Sequence, residues 1–138
     1  MEFGSIYDID VKNYKNNKHT FLGYYAMIVS RYKEISQDAK FFFVSFPNTN
    51  NPERTQIQKD MVEALNKLSD IFDNSYVIDL YNYGPVYDEN FEEKFFLNGH
   101  MNPSGYLFTA KLIDSYIDYI IRHNPNEFKN VGFINFNI

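Results

Sequence analysis

The sequence predicts an α/β fold with parallel strands, and three observations support that prediction. Segments with helical periodicity alternate with two short apolar runs, in the order helix, strand, helix, strand, loop, helix. The apolar runs are continuous and rich in aromatic and β-branched residues, as is typical of strands that are buried on both faces. The 138 residues suffice for one domain or for part of one, so we treat 1–138 as a single unit.

The first part of the chain contains a predicted helix and a predicted strand, which follow an irregular N-terminal segment, 1–19. Thr20 can cap this helix. Apolar residues recur on one face of it: Phe21, Tyr25, Ile28, Tyr32 and Ile35. Residues 40–46 (KFFFVSF), which end at Pro47, predict the first strand.

A second helix and a second strand come next. Asn51 and Pro52 form the pair of cap and proline that opens many helices. One stripe of the helix is apolar: Ile57, Met61, Ala64 or Leu65, Leu68 and Phe72. Residues 76–80 (YVIDL) predict the second strand, which is closed by 82–85 (NYGP).

The last part of the chain is a predicted loop followed by a long helix. The loop has about 20 residues and is rich in acidic and aromatic side chains, and loops of this length are often functional. Asn102 and Pro103 repeat the pair of cap and proline, and the helix should end before Pro125. We expect its inward residues to be Tyr106, Ala110, Ile113, Ile117 and Ile120. We expect the tail, 126–138, to pack through Phe128, Val131, Phe133, Ile134 and Phe136.

Composition and charge exclude several classes of function. The formal net charge is −5 and the basic residues are scattered among acidic ones, which argues against a nucleic-acid-binding surface. The chain has no cysteine, so disulfides and thiolate chemistry are excluded. It contains no run of about 18 apolar residues that would predict a membrane span. The first ten residues, MEFGSIYDID, lack the basic and the apolar segment that a signal peptide would have. We therefore expect neither a nucleic-acid nor a membrane partner, and take the cytoplasm as the default compartment.

Two parallel strands alone leave both outer edges of their sheet unpaired. Either further strands come from elsewhere, or helices cover these edges. An uncovered edge favours self-association, because its free N–H and C=O groups can pair with another chain.

His100 is the strongest candidate for catalysis among the three histidines. It lies in LNGHMNPSGY, where Gly99 allows a sharp turn and Asn102 fixes the start of the last helix. A histidine on a short, anchored loop suits a general base, because an imidazole can accept and return a proton near neutral pH. A histidine that only packs or caps in a loop is the alternative.

His19 and His123 have simpler explanations. His19 lies in a polar stretch, and His123 lies in the last turn of the final helix, where a cation interacts well with the helix dipole. The three histidines share no ligand spacing, so we expect no metal site. The sequence has no Gly-rich phosphate loop, and we expect no cofactor.

The block GHMNPSGYLFTAKLIDSYIDYI resembles the last conserved block of the SGNH/GDSL hydrolases, in which a histidine precedes a turn, then Gly-Tyr, then the final helix. The segments FFFVSFPN and VIDLYNY, with the helix between them, are similar to the fourth and fifth strands of that family. The resemblance covers roughly 20–130. It implies a partial flavodoxin-like, SGNH-type three-layer fold with parallel strands, whose first three strands have no counterpart here.

The resemblance also implies a function. It indicates an ester hydrolase that acts on small acyl esters, such as acetylated carbohydrates, by serine–histidine nucleophilic catalysis. In the family a serine in a Gly-Asp-Ser motif attacks the carbonyl, and its N–H, a glycine and an asparagine form the oxyanion hole. Only His100 has a clear counterpart in this chain. Neither Gly-Asp-Ser nor Gly-x-Asn-Asp occurs in it, so we expect the nucleophile outside this chain and no activity from the chain alone.

The acid partner of His100 stays open. The family usually places an aspartate three residues before the histidine, and that position is Leu97 here. Candidate partners are Asp79, which interrupts an apolar strand, and Asp88 and Glu89 in the following loop. A backbone carbonyl, or a dyad without a carboxylate, is the alternative.

Ser45, Asn48 and Asn98 are candidate pocket residues. The first two follow the first strand, and open parallel sheets bind ligands at the carboxyl ends of their strands. Two other classes of function stay open. One is a non-catalytic α/β remnant or module that binds a partner, and the other is a small flavodoxin-like binding domain.

Overall fold

The computed structural model describes residues 2–129. In chain order they form α1 (Phe21–Ile35), β1 (Phe41–Val44), α2 (Pro52–Ile71), β2 (Ser75–Ile78), α3 (Leu80–Tyr83), α4 (Glu89–Phe95), β3 (Phe96–Leu97), β4 (His100–Met101) and α5 (Pro103–His123). Two short 3-10 turns, Ile6–Asp8 and Tyr14–Asn16, precede α1. Phe128 of the predicted tail is buried, whereas Val131, Phe133, Ile134 and Phe136 lie outside the described residues.

A parallel pair of strands forms the middle layer of the fold. Phe41 lies opposite Ser75 and Val44 opposite Ile78. Successive side chains of a strand point to opposite faces, so each face of the pair receives its own apolar set. The prediction of an α/β fold with parallel strands is confirmed. In the described part of the chain, neither β1 nor β2 pairs with a third strand.

Helices cover both faces of this pair. On one face α1 and α2 enclose the larger core: Leu22, Ala26, Val29, Phe43, Met61, Ala64, Leu65, Leu68 and Phe72. On the other face α5 packs over a smaller core: Ile78, Leu80, Ile120 and Phe128. Full burial of one such leucine contributes about 1.5–3 kcal/mol, so most of the fold's stability lies on the α1–α2 side.

The predicted caps start the three long helices. Thr20 Oγ1 accepts a hydrogen bond from Gly23 N at 3.2 Å, and Asn51 Oδ1 accepts one from Glu53 N at 2.9 Å. Asn102 Oδ1 accepts one from Gly105 N at 2.9 Å. Proline stands in the first turn of α2 and α5, where its missing N–H costs nothing. Most of the predicted stripe of α2 is buried, with Ile57 only partly so, and Gln58 and Val62 are buried in addition.

The predicted apolar face of α1 packs only near the start of the helix, where the partly buried Phe21 and Tyr25 contact the larger core. Leu22, Ala26 and Val29 are buried, whereas Ile28, Tyr32 and Ile35 are 64%, 53% and 77% exposed. Both stripes have helical spacing, and tertiary contact selects the one with smaller residues. The methyl group of Ala26 lets the axis of α1 approach α2 and the sheet closely.

The inward face of α5 is correct only in its second half. Ile120 is buried and Ile113 and Ile117 are partly buried, whereas Tyr106 and Ala110 are exposed. The 21 residues of α5 span about 31 Å, while the four residues of a strand span about 13 Å. The first turns of α5 therefore extend past the sheet and pack against α4 instead.

The strands are shorter, and the loop more ordered, than predicted. β1 ends at Val44, and the exposure of Val44 and Phe46 contradicts burial on both faces, because α5 covers β2 but not the end of β1. The predicted loop contains α4 and a hairpin formed by antiparallel β3 and β4. Asp88 caps α4, and Phe91 and Phe95, one turn apart, form an apolar stripe that makes this short segment helical.

The segment 2–19 is irregular as predicted, but it is packed. Phe3 and Ile9 contact the larger core, and the ring of Phe3 lies 5.3 Å from that of Phe21. Phe21 N and Leu22 N, which the helix itself leaves unbonded, donate to the carbonyl oxygens of Glu2 and Phe3.

Candidate functional site

The candidate site lies at the carboxyl ends of β1 and β2, where the chain leaves the sheet. The segment after β1 meets the segment before α4, because Tyr87 N donates to Asn48 O at 2.7 Å. The hairpin joins them, since Phe96 and Met101 share a cavity with Phe46 and Pro47. Residues far apart in the sequence therefore meet at the edge of the sheet where open α/β folds bind their ligands.

His100 lies on this hairpin, in β4. The pairs Phe96–Met101 and Leu97–His100 make up β3 and β4. Because neighbouring side chains of a strand alternate in direction, Met101 faces the cavity and His100 faces away from it. The His100 side chain is exposed, and within residues 2–129 its imidazole takes part in no hydrogen bond or ion pair, while its backbone pairs with Leu97.

The base of the hairpin is fixed to α4 and α5. Asn102 N donates to Phe95 O at 2.7 Å, and Asn102 Nδ2 donates to Lys94 O at 2.9 Å. Gly105 allows this approach, since a Cβ atom at its position would lie 2.5 Å from Phe95 O. The turn uses positive φ at Asn98 (52°) and Gly99 (79°). His100 is thus held on an anchored backbone with a free side chain.

The three candidate acids lie elsewhere. Asp79 caps α3: its Oδ1 accepts from Asn82 N at 2.9 Å and its Oδ2 accepts from Asn82 Nδ2 at 2.7 Å. Asp88 Oδ1 accepts from Phe91 N at 3.1 Å and caps α4. Glu89 is exposed in the first turn of α4. The structure brings none of the three into hydrogen-bond contact with His100.

Asp79 has one further neighbour, Tyr116 of α5. The pKa of Tyr116 is raised, chiefly by burial; the backbone of Asp79 opposes this rise and the negative charge of Asp79 adds to it. Asp79 follows the end of β2 and does not interrupt the strand as predicted. It is buried, and its two bonds to Asn82 satisfy its carboxylate.

Two of the predicted pocket residues hold the backbone in place. Ser45 is 4% exposed, and its Oγ accepts hydrogen bonds from Leu80 N at 2.9 Å and Tyr81 N at 3.3 Å. Asn48 Oδ1 accepts from Asn50 N at 2.8 Å and forms a turn. Asn98 occupies the turn of the hairpin.

Two adjoining cavities open at this edge of the sheet, and we call them together the Gln58 cleft. The inner cavity, of about 440 Å³, is mostly apolar and includes Phe46, Pro47, Ile57, Gln58, Phe96 and Met101. The outer cavity, of about 580 Å³, is polar and includes Asn50, Asn51, Asp88, Glu89 and Asn90. Four residues line both: Thr49, Arg54, Tyr87 and Glu92. Sequence reasoning did not single out this cleft.

Gln58 is the most unusual side chain of the cleft. It is 3% exposed, and its Nε2 donates to Pro47 O at 2.8 Å and to Thr49 Oγ1 at 3.1 Å. Its carbonyl oxygen, Oε1, is buried and has no hydrogen-bond partner among the described residues. A glutamine on the buried side of an otherwise apolar stripe was the one signal in the sequence that pointed here.

The other histidines have local contacts. The ring of His123 stacks on Tyr119 at 3.9 Å, and its Nδ1 lies 2.8 Å from Tyr119 O. His19 stacks on Tyr24 at 5.2 Å. Residues 2–129 contain no cluster of three or more His, Asp and Glu side chains that could hold a metal ion. In the same part of the chain, no helix is long and apolar enough to cross a membrane.

The chain matches no model of a known protein family, no curated protein and no solved structure.

Proposed function

We propose that the chain is the histidine-bearing part of an SGNH/GDSL-type ester hydrolase that acts on small acyl esters, with its nucleophile supplied from outside this chain. The observation that carries the proposal is the position of His100. An exposed imidazole stands on an anchored hairpin, directly before the final helix and at the carboxyl end of a parallel sheet. The sequence around it resembles the histidine block of that family.

The role of His100 follows from this position. A serine hydroxyl brought against the imidazole would pass its proton to the ring and attack the ester carbonyl, and the ring would then protonate the leaving alkoxide. The carboxylates of Asp79 and Asp88 cap helices and make no hydrogen bond to His100. The contacts therefore agree best with a serine–histidine dyad, in which no carboxylate of this chain orients the imidazole. The exposed side chain leaves room for the nucleophile to approach.

The three family strands that have no counterpart in this chain would fit at an outer edge of the sheet. The outer edges of β1 and β2 pair with no strand in the described residues, and helices already lie on both faces of the pair. A flavodoxin-like sheet would continue by adding parallel strands at one of these edges.

The experiment compares two samples. The first is the protein isolated with its natural associates from its source cells, and the second is the 138-residue chain alone. Each is tested for hydrolysis of p-nitrophenyl acetate and for labelling by a fluorophosphonate. The first sample should be labelled on a serine outside these residues, and the second should remain unlabelled.

Variants assign the activity to His100. His100→Ala should lower the hydrolysis rate of the first sample by about a thousandfold, as for other triad members. His123→Ala, which changes an exposed histidine at the opposite, C-terminal end of α5, should leave the rate unchanged. Full activity of His100→Ala would contradict the proposal, and a label on the chain alone would contradict the external nucleophile.

One observation favours a second candidate, a module that associates with a second copy of itself through the outer edge of β1. That edge is unpaired in residues 2–129, and Val44 and Phe46 beside it are exposed. Sedimentation equilibrium tests this candidate. A dimer that Val44→Lys converts to a monomer would support it, because edge lysines disfavour strand pairing, whereas a monomer at all concentrations would exclude it.

A further inference from the structure

The Gln58 cleft is separate from the surface that carries His100. Met101 lines its inner cavity, and His100, the preceding residue of β4, points to the opposite side of the hairpin. A ligand of the cleft therefore need not contact the imidazole. The cleft can be considered without reference to ester hydrolysis.

The cleft has the properties of a built binding site. Each cavity lies within the range of about 300–1,000 Å³ that is common for small-molecule sites. Four separate segments form its walls, from the end of β1, the start of α2, the start of α4 and the hairpin. Backbone bonds such as Tyr87 N to Asn48 O hold these segments together, so the cleft exists before any ligand arrives.

Gln58 Oε1 specifies one feature of the ligand. A buried acceptor without a partner costs about 1–3 kcal/mol, and Gln58 is itself part of the wall of the inner cavity. Both hydrogens of its Nε2 already have acceptors in Pro47 O and Thr49 Oγ1. The side chain therefore holds a spare acceptor. Because Oε1 is closed to water in this structure, the amide must turn toward the inner cavity before a hydroxyl or N–H group of a ligand can donate to it.

The charges of the outer cavity specify a second feature. Arg54 is opposed there by Asp88, Glu89 and Glu92. The three carboxylates disfavour an anion, and the positive charge of Arg54 offsets part of their charge. Neutral hydroxyl groups can donate to the carboxylates and accept from Arg54, and the amides of Asn50 and Asn90 can do both.

We infer that the Gln58 cleft binds a neutral amphipathic molecule with several hydroxyl groups, of the chemical class of an aryl or alkyl glycoside. Its apolar group lies in the inner cavity against Phe46, Phe96 and Met101. A hydroxyl next to the apolar group donates to Gln58 Oε1 in the inner cavity, and the remaining hydroxyls contact the polar side chains of the outer cavity.

The test is an NMR titration of the isotope-labelled chain with phenyl β-D-glucopyranoside, in parallel with phenol and with methyl β-D-glucopyranoside. Phenyl glucoside should shift the side-chain amide signals of Gln58 and the backbone signals of the hairpin. Phenol and methyl glucoside, which each fill one cavity, should bind more weakly. Equal affinity for phenol would overturn the assignment of the outer cavity to hydroxyl groups.

Variants connect the shifts to the cleft. Gln58→Met keeps the length of the side chain but removes the acceptor together with the bonds of Nε2 to Pro47 O and Thr49 Oγ1. It should weaken binding at least about tenfold, the effect of one lost hydrogen bond. The matched control is Gln56→Met, an exposed glutamine of the same helix that bonds to Asp60. If Gln58→Met does not fold, Phe96→Ala on the hairpin provides the same comparison by removing the apolar contact.

Two outcomes would overturn the inference. One is the absence of shifts at cleft residues up to the solubility limit of phenyl glucoside. The other is undiminished affinity in a folded Gln58→Met or Phe96→Ala variant. His100→Ala should bind phenyl glucoside like the unmodified chain, so failure of this inference and failure of the hydrolase proposal are separate results.

Discussion

The hydroxyl oxygen of Ser45 accepts a hydrogen bond from Leu80 N at 2.9 Å and thereby joins the carboxyl ends of β1 and β2. The strand ladder ends one step earlier, with Ser45 N donating to Ile78 O at 3.0 Å. The Ser45 side chain therefore continues the hydrogen bonding between the two strands beyond the end of β2, up to the start of α3. This contact fixes the distance between the two strand ends on which the candidate site is built.

Ser45→Ala should destabilise the protein. It leaves the buried Leu80 N–H without its acceptor, which costs about 1–3 kcal/mol of the free energy of unfolding. Urea denaturation measures the change. Ser115→Ala, which removes an exposed hydroxyl bonded to Leu112 O, is the control and should change the free energy by less than about 0.5 kcal/mol. Equal effects of the two substitutions would show that the Ser45 bridge does not stabilise the fold.

Leu22→Ala and Ile35→Ala should distinguish the two apolar stripes of α1. Leu22 is fully enclosed in the larger core, and its truncation should cost about 2–5 kcal/mol because a cavity remains. Ile35 is mostly exposed, and its truncation should cost less than about 0.5 kcal/mol. Thermal or urea denaturation gives both values. A larger loss for Ile35→Ala would mean that α1 packs through its other face.

Gly105→Ala should disturb the anchor of the hairpin. The added methyl group would meet Phe95 O at 2.5 Å and Met101 Cβ at 3.3 Å, so α5 must move away from the end of α4 and from the hairpin. Overpacking of this kind costs about 1–3 kcal/mol. Chemical shifts of Phe95 and Met101 should move together with the loss of stability. Ser104→Ala, the exposed neighbour in the same helical turn, should leave both the shifts and the stability unchanged.

Tyr76 should make stability depend on pH in the alkaline range. Burial, a hydrogen bond to the Glu127 carboxylate and the charge of Glu127 raise the pKa of Tyr76 above its ordinary value of 10.0. The folded protein therefore keeps the phenol proton that the unfolded chain loses. The contribution of Tyr76 is fully present below about pH 10 and decreases as the pH rises above it.

The melting temperature between pH 8 and pH 12 checks this linkage. Above about pH 10, it should fall more steeply for the unmodified protein than for Tyr76→Phe. Tyr7→Phe, which changes a tyrosine that is almost fully exposed, should retain the steep fall. Parallel curves for the unmodified protein and Tyr76→Phe would contradict the contribution of this phenol.

Local signals were sufficient to predict the caps and the best-patterned helix. Asn51 with Pro52, and Asn102 with Pro103, each satisfy backbone groups within a few residues of themselves, so their effect does not depend on the rest of the fold. The stripe of α2 was also read correctly, because its opposite face carries charges. These features specify where the helices begin and which side of α2 is buried.

Features that depend on tertiary contacts could not be predicted from local sequence patterns. α1 has apolar residues on two sides, and only the position of α2 and the sheet decides between Val29 and Ile28. Most of the Gln58 cleft was missed for the same reason, since Arg54, Tyr87 and Phe96 meet through the path of the chain and not through their spacing. The sequence predicted an anchored loop around His100, and the structure has an anchored hairpin there, with His100 in β4. Its orientation relative to Met101 depends on the pairing of β3 with β4.

The pairing of Phe41 with Ser75 across the whole of α2 has a kinetic consequence. Parallel strands cannot meet through a tight turn, so the chain must close the entire β1–α2–β2 segment before the sheet gains its first contact. Early formation of α2 shortens the span that remains to be closed and reduces the entropy lost in closure. Exposed α2 substitutions that alter helix propensity, such as Asn66→Ala, should therefore change the rate of refolding more than the rate of unfolding.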